Sequence, residues 1–515
     1  MTRQPKPSGS RPGRGKIASM SSDSRRAPWE WSAEDIKKVG YEVVDLIAEH
    51  LTGLPERPVF QPVPAELQAT FLNEAPPEHG TDPGDVLAAF KRTIEPYPFG
   101  NGHPRFFGWV NPPPAVMGIF GDALAAAMNP SCAGGNHAAI YVERQVVNWF
   151  KQILSFPSES FGLLVSGGSM ASLNALAVAR HMKAGFDVRA RGLQQSPARL
   201  TVYKTREGHS CIQKAVELLG LGSDHVRIVD HDSGLRMRPE SLDALIRADL
   251  AAGHAPMAVV ASAGTVNTGA IDPLEDIAEI CRQRDVWLHV DGAYGAPAVL
   301  TAAYRDRLRA LARCDSVALD PHKWLYVPVE AGLVLIRHAD AMRASFSLVP
   351  PYLRTMGGST GVGGPPWFSE YGFQQTRGFR ALKVWMALKH QGLSGYREAI
   401  NHDLMMAGRL AEAVRKSPVL QLLQPQNLSI VCFRYAPPAM RHDAAALDAT
   451  NRGLLDRLQL GGRAFLSGTV IDDTFWLRAC IINYRTKEGD VDMLPPLVAD
   501  LGDQAAGLTQ SGRPH

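Results

Sequence analysis

Ser316-Val317-Ala318-Leu319-Asp320-Pro321-His322-Lys323-Trp324 is the stretch on which the fold turns. Four residues of strand character lead into a charged turn, and the apolar run Ala331 to Ile336 follows. Long cationic side chains are rarely fully buried unless paired, so a lysine between a proline–histidine pair and a tryptophan asks for a reason. One reading keeps its amine in an apolar pocket, ready to form a Schiff base with a carbonyl. The other lets it snorkel to solvent at a strand end. The tetrapeptide alone does not choose between them.

The flanking sequence supplies the fold. Strands are expected at 163–165, 200–204, 226–229, 257–261, 287–290, 317–319 and 333–336, with helical segments between most of them. Such alternation predicts a large α/β domain with a mostly parallel central sheet. Upstream, Ser32 is a suitable N-cap for a helix to about Leu51, with Ile36, Val39, Val43, Leu46 and Ile47 at helical spacing. The proline-rich run from Leu54 to Pro64 must leave it extended. A helix set apart in this way suits an arm packed on a second chain. Further helices are expected at about 115–128 and 140–156, and a long one from near Arg377. Gly357 to Gly364, GGSTGVGG, reads as a mobile loop. Strands at 430–434 and 476–482 close a smaller α+β domain. The resulting division is a basic tail 1–27, a helical dimerisation arm 28–110, a large domain 111–393, a small domain 394–500 and a tail 501–515.

Composition excludes several classes. The net charge is +3, but residues 1–27 hold seven Lys/Arg against one Asp, so the remainder of the chain is at −3. A mildly acidic body has no electrostatic footprint for nucleic acid. No run of about 18 apolar residues suggests a membrane span. The six cysteines, Cys132, Cys211, Cys281, Cys314, Cys432 and Cys480, are scattered, with no zinc-like spacing. Free thiols in a reducing cytoplasm are expected, and no metal.

Four elements fall at the C-terminal ends of predicted strands, where open α/β sheets bind ligands. Ser166-Gly167-Gly168-Ser169 opens a helix, and its backbone N–H groups and the Ser169 hydroxyl suit a phosphate. His209, on a loop after a strand, suits the face of an aromatic ligand. In His289-Val290-Asp291-Gly292-Ala293-Tyr294, a largely buried Asp291 needs a cation, and a protonated pyridine nitrogen is one. Ala293 is small enough for a flat ring to lie beside it. With Lys323, these elements describe a site for pyridoxal 5′-phosphate (PLP).

The chain resembles the group II PLP-dependent decarboxylases, which include the aromatic-L-amino-acid, glutamate and histidine decarboxylases of the fold type I (aspartate aminotransferase-like) class. The resemblance runs from about Trp31 to about Val491 and rests on HPRFFGW (103–109), SGGSMASLNAL (166–176), GHSCIQKA (208–215), HVDGAYG (289–295), DPHKW (320–324) and RGFRALKVW (377–385). It implies that Lys323 carries the cofactor as a Schiff base, that Asp291 pairs with the pyridine nitrogen and that His209 stacks on the ring opposite Ala293. Gly168 and Ser169 would bind the phosphate. It also implies a homodimer with active sites at the interface and conversion of an L-amino acid to its amine and CO2. Trp109 and Phe368 would line the substrate pocket, with Asn111, Ser131 and His137 as further candidates.

Several positions depart from the family pattern. Phe368 stands where many members carry a mobile-loop tyrosine regarded as the proton donor, and phenylalanine has no hydroxyl. That leaves Tyr371, His209 or a water. In plant relatives the same replacement accompanies formation of an aldehyde, ammonia and peroxide. Asp320 stands where the aromatic-acid enzymes usually have Asn near the phosphate, and two anions there repel unless bridged. Val266 replaces a frequent Thr, leaving Thr265 as the hydroxyl. Aromatic L-amino acids are the first expectation, with Trp109 as the aromatic wall. A catalytically silent assembly subunit is the third reading, but its signature would be loss of Lys323 or Asp291, and both are present.

Overall fold

A computed structural model describes residues 29–349 and 367–507. The loop read at 357–364 and the basic tail lie outside the described residues. Two compact units divide at Gly100.

The first unit is helical. α1 (Ala33–Gly53) starts at Ser32, whose side chain accepts from the Asp35 N–H, so the predicted N-cap is the observed one. α2 (Ala65–Asn73) and α3 (Pro83–Thr93) follow the extended proline segment. His50 and Arg57 both bond Glu95, tying the end of α1 to the segment after α3. None of these three helices has a buried residue.

The second unit carries two sheets. The larger has seven strands: β1 (Phe161–Val165), β2 (Leu200–Thr205), β3 (Val226–Val229), β4 (Ala255–Ser262), β5 (Trp287–Asp291), β6 (Ser316–Leu319) and β7 (Gly332–Ile336). Their spatial order is β1-β7-β6-β5-β4-β2-β3. Neighbours from β6 to β3 pair in parallel. β7 runs antiparallel to both its partners, with Ala318 opposite Val334 and Leu164 opposite Leu333. It can do so because it follows β6 directly through the Lys323 turn, with no crossover helix. β6 and β7 are buried at every position, which explains their unbroken apolar sequence.

α4 (Val116–Met128), α5 (Ala138–Ile153) and α6 (Gly168–Lys183) precede or follow β1. A long helix, Arg380–Lys416, packs on α4 and α5 and breaks at Gly392, whose φ of 65° suits glycine. It passes from the first hydrophobic core into a second one, built on Phe107, Phe433, Leu454 and Leu477. There the antiparallel sheet comprises β8 (Leu420–Leu422), β9 (Ile430–Tyr435), β10 (Ser467–Ile471) and β11 (Thr474–Cys480), in the order β10-β11-β9-β8. The final helix runs from Leu494 to Ala505, so the chain stays helical past the boundary at 500 read from the sequence. Among the described residues no helix is long and apolar enough to cross a membrane.

Candidate active site

The C-terminal ends of β1, β2, β4, β5 and β6 open on one cavity of about 390 Å³. Its lining includes Gly168, Ser169, His209, Thr265, Asp291, Ala293 and Lys323, seven residues spread over more than 150 positions of sequence.

The floor is built first. β1 ends at Val165, and α6 starts two residues beyond Ser166, so the first-turn N–H groups of α6 face the cavity without intrahelical partners. The turn is tightly held: a Cβ at Gly332 would lie 2.4 Å from the Gly167 Cα. A Cβ at Gly168 would lie 3.0 Å from the Ala293 Cβ and 3.1 Å from Asp320 Oδ2. Glycine there leaves the backbone bare for an anion.

Lys323 rises from the turn after β6. Its Nζ is 3.1 Å from Asp320 Oδ2, and its side chain is 24% exposed, into the cavity. Burial works against its charge, but Asp320 and Asp291 outweigh burial and hold the amine above its usual range. The turn is anchored from below. Trp324 stacks on Tyr294 with ring centroids 4.9 Å apart, and its Nε1 donates to Asp403 Oδ2 at 2.8 Å. The Tyr326 hydroxyl donates to the same oxygen, and the Asn483 N–H to Oδ1 at 3.1 Å. Thus Lys323 is aimed by a carboxylate on the long helix.

Asp291 closes β5, and its Oδ1 accepts from the Ala293 N–H at 3.1 Å. His209 receives the Cys211 N–H on Nδ1 at 3.1 Å, which leaves the hydrogen of a neutral ring on Nε2. Burial lowers its pKa, with Lys323 adding to the effect and Asp291 opposing it. A neutral, fixed imidazole is what an aromatic ring can lie against. The Thr265 hydroxyl is occupied within its own turn, 3.0 Å from Thr268 Oγ1 and accepting from the Ala270 N–H.

Three of the expected site residues lie apart from the cavity lining. Trp109 is absent from the cavity lining, where its neighbour Val110 stands; its ring packs 5.3 Å from Phe465 and is 43% exposed. Phe368 is buried against Phe161, with the Arg377 guanidinium over its ring. Tyr371, expected as a proton donor, stacks on Phe161 at 3.9 Å and likewise lies outside the lining. Phe368 and Tyr371 are held in the core by these contacts, which sequence spacing from RGFRALK does not reveal. Asn111, Ser131 and His137 also fall outside the lining. Conversely, Cys211, His322 and Glu330 line the cavity unforeseen. Cys211 sits two residues after His209 at the start of the helix Cys211–Leu218, a proximity visible in the sequence. Burial pushes its thiol up to about 11, so it is a packing group.

The donor set fits PLP: a bare helix N-terminus for the phosphate, Asp291 for the pyridine nitrogen, His209 and Ala293 for the ring and Lys323 for the carbonyl. Comparison with known proteins agrees. Residues 64–436 match the pyridoxal-dependent decarboxylase conserved domain. The chain is 35% identical over 457 residues to an aromatic-L-amino-acid decarboxylase of Bacillus atrophaeus, covering 88% of this chain and 93% of that one. The crystal structure of Oryza sativa TDC with PLP and tryptamine superposes with a TM-score of 0.84 at 26% identity, over 93% of this chain and 99% of that one. Rhodiola rosea 4-hydroxyphenylacetaldehyde synthase gives 0.80 at 26%, over 92% and 99%. With the PLP donors gathered at one sheet edge and the domain matching most of this chain, the chain belongs to the pyridoxal-dependent decarboxylase family.

Proposed function

We propose that this protein decarboxylates aromatic L-amino acids to the corresponding amines, as a cytoplasmic homodimer. The observation that carries the reaction class is the convergence of Lys323, Asp291 and His209 on one cavity whose floor is a bare helix N-terminus. Likeness to aromatic-L-amino-acid decarboxylase supports the aromatic class. The six buried free thiols support a reducing compartment.

When bound, PLP supplies an electron sink for the pair left on Cα as CO2 departs. Asp291, partly buried, would pair with the pyridine nitrogen and favour its protonated form. His209 and Ala293, both in the lining, would hold the ring. Lys323 is the amine that would hold the cofactor, and Asp320 and Asp291 favour its protonated form. Among the described residues, Lys323 Nζ and His209 Nε2 are two lining groups able to hold a proton near a substrate carbon. Neither Phe368 nor Tyr371 of this chain offers one there.

That last observation gives the aldehyde-forming reaction its standing as a second reading, alongside the likeness to the Rhodiola rosea synthase. The deciding experiment incubates purified holoenzyme with each of the twenty amino acids and detects amine and aldehyde by mass, with ammonia and peroxide assayed in parallel. Amine and CO2 in equal amounts from an aromatic substrate are expected. Aldehyde with matching peroxide would transfer the assignment to the second reading, and no product from any amino acid would remove both.

A further inference from the structure

Asp320 is a departure whose consequence lies in the phosphate subsite. It is 1% exposed, and its Oδ1 has no hydrogen-bond partner among the described residues. Its Oδ2 is 3.1 Å from the position a Cβ would take at Gly168, so the carboxylate forms one wall of the anion cradle. An ionised carboxylate only accepts hydrogen bonds, and a fully ionised phosphate also only accepts. Two such groups in contact need a proton between them.

Among the described residues, no neighbouring group donates to the free Asp320 oxygen. Lys323 Nζ pairs with Asp320 Oδ2 from the same turn, and it is the amine that carries the cofactor. His322 Nε2 is 3.8 Å from Oδ2, beyond hydrogen-bond reach, while its Nδ1 is engaged by the Ala331 backbone. From the neighbouring elements, His209 faces Asp320 with its pKa lowered by burial, and Asp291 adds a second negative charge around Lys323. Glu330, a third acid in the lining, is bound to Arg380 at 2.7 Å. Among the described residues no arginine lines the cavity. A phosphate entering here meets backbone N–H groups and the Ser169 hydroxyl, together with an acid that has a free oxygen.

We propose that this pocket binds the cofactor phosphate as its monoanion, with the remaining phosphate hydroxyl donating to Asp320, which makes cofactor retention pH-sensitive. The inference rests on the PLP assignment and is independent of the substrate. A phosphate monoester loses its second proton near pH 6. In the pocket that loss would leave two facing anions, so it is displaced upward, and the phosphate is released more readily as pH rises.

The test is phosphorus NMR of the holoenzyme and of Asp320→Asn over about pH 5.5–8.5, a range bracketing that ionisation. Wild type should titrate at least about one pH unit above free cofactor, a tenfold change in proton affinity. Asp320→Asn, whose amide donates to the anion, should show the dianion signal throughout and should retain cofactor on dialysis at the alkaline end. A wild-type signal fixed at the dianion position across the range would overturn the proposal, and that reading needs no variant. Visible absorbance of the bound cofactor is recorded on the same samples. Its absence from wild type would instead sink the PLP assignment beneath the proposal.

Discussion

At the scale of single residues, the buried histidine of β5 sets an acid limit on the molecule. His289 is fully buried, its two ring nitrogens 2.9 Å from Ser316 Oγ and 3.1 Å from Ser172 Oγ. Burial lowers its pKa to about 4. The unfolded chain protonates near 6.5, so between the two values the unfolded state binds a proton that the native state refuses. Stability from this group is therefore complete above about pH 6.5 and declines towards pH 4, by about 1.4 kcal/mol per unit. Asp403, which burial pushes up to about 7, has the opposite slope, losing stability as pH rises from about 4 to 7. Comparison of wild type with His289→Asn isolates the first effect. In urea melts at pH 7 and pH 5, the variant should be less stable at pH 7 but lose about 2 kcal/mol less on acidification. An equal loss in both proteins would show that His289 does not carry it. Reading HVDGAYG as a sequence puts Asp291 at a strand end, where β5 closes on the cavity, but the role of His289 two residues earlier depends on serines from α6 and β6.

At the scale of elements, the Lys323 turn and the helix Arg380–Lys416 act together through Asp403. That carboxylate collects Trp324, Tyr326 and Asn483, and so joins the turn after β6 to the segment after β11. Asp403→Ala leaves three buried donors without an acceptor. With each orphaned donor costing about 1–3 kcal/mol, a destabilisation of about 3 kcal/mol or more is expected by denaturant titration. Cofactor release should also quicken, because the loss falls under the Lys323 backbone. Unchanged cofactor retention in a folded but destabilised variant would confine Asp403 to fold stability. A similar joint lies between β1 and α5. The fully buried pair Arg377–Glu143 binds Cys132 O, Leu164 O and the Leu164 N–H, fixing β1 against α5. Sequence patterning located β1, α5 and the Arg377 motif separately. Their joining through a buried ion pair was not legible, because a charged residue reads as surface until its partner is known.

At the scale of the whole molecule, the N-terminal unit is the part least complete in one chain. α1 exposes Ile36 and Val44 at 56% and 45%, together with Tyr41 and Val43, and no residue of α1 is buried. Such apolar exposure supports the proposed dimer, with a second copy as the covering surface. A double substitution, Ile36→Asp with Val43→Asp, places charge on two positions seven apart on α1. It should raise the dimer dissociation constant at least about tenfold, about 1.4 kcal/mol, as read by sedimentation at several concentrations. A wild type that sediments as a monomer of 55.9 kDa at all concentrations would dismiss the arm's proposed role. The amino-acid sequence by itself determined the α/β class, the order of the strands along the chain and the four PLP elements, because these depend on local periodicity and on glycine, charge and turn chemistry at short range. Tertiary structure alone decided the antiparallel insertion of β7 between β1 and β6, the burial of Phe368 and Tyr371 against Phe161 and the exclusion of Trp109 from the cavity. It also placed Asp320 beside Gly168 with one oxygen unpaired among the described residues. Each of these follows from which distant side chain fills the adjacent space, and packing between segments far apart in the chain leaves no periodic trace in either one.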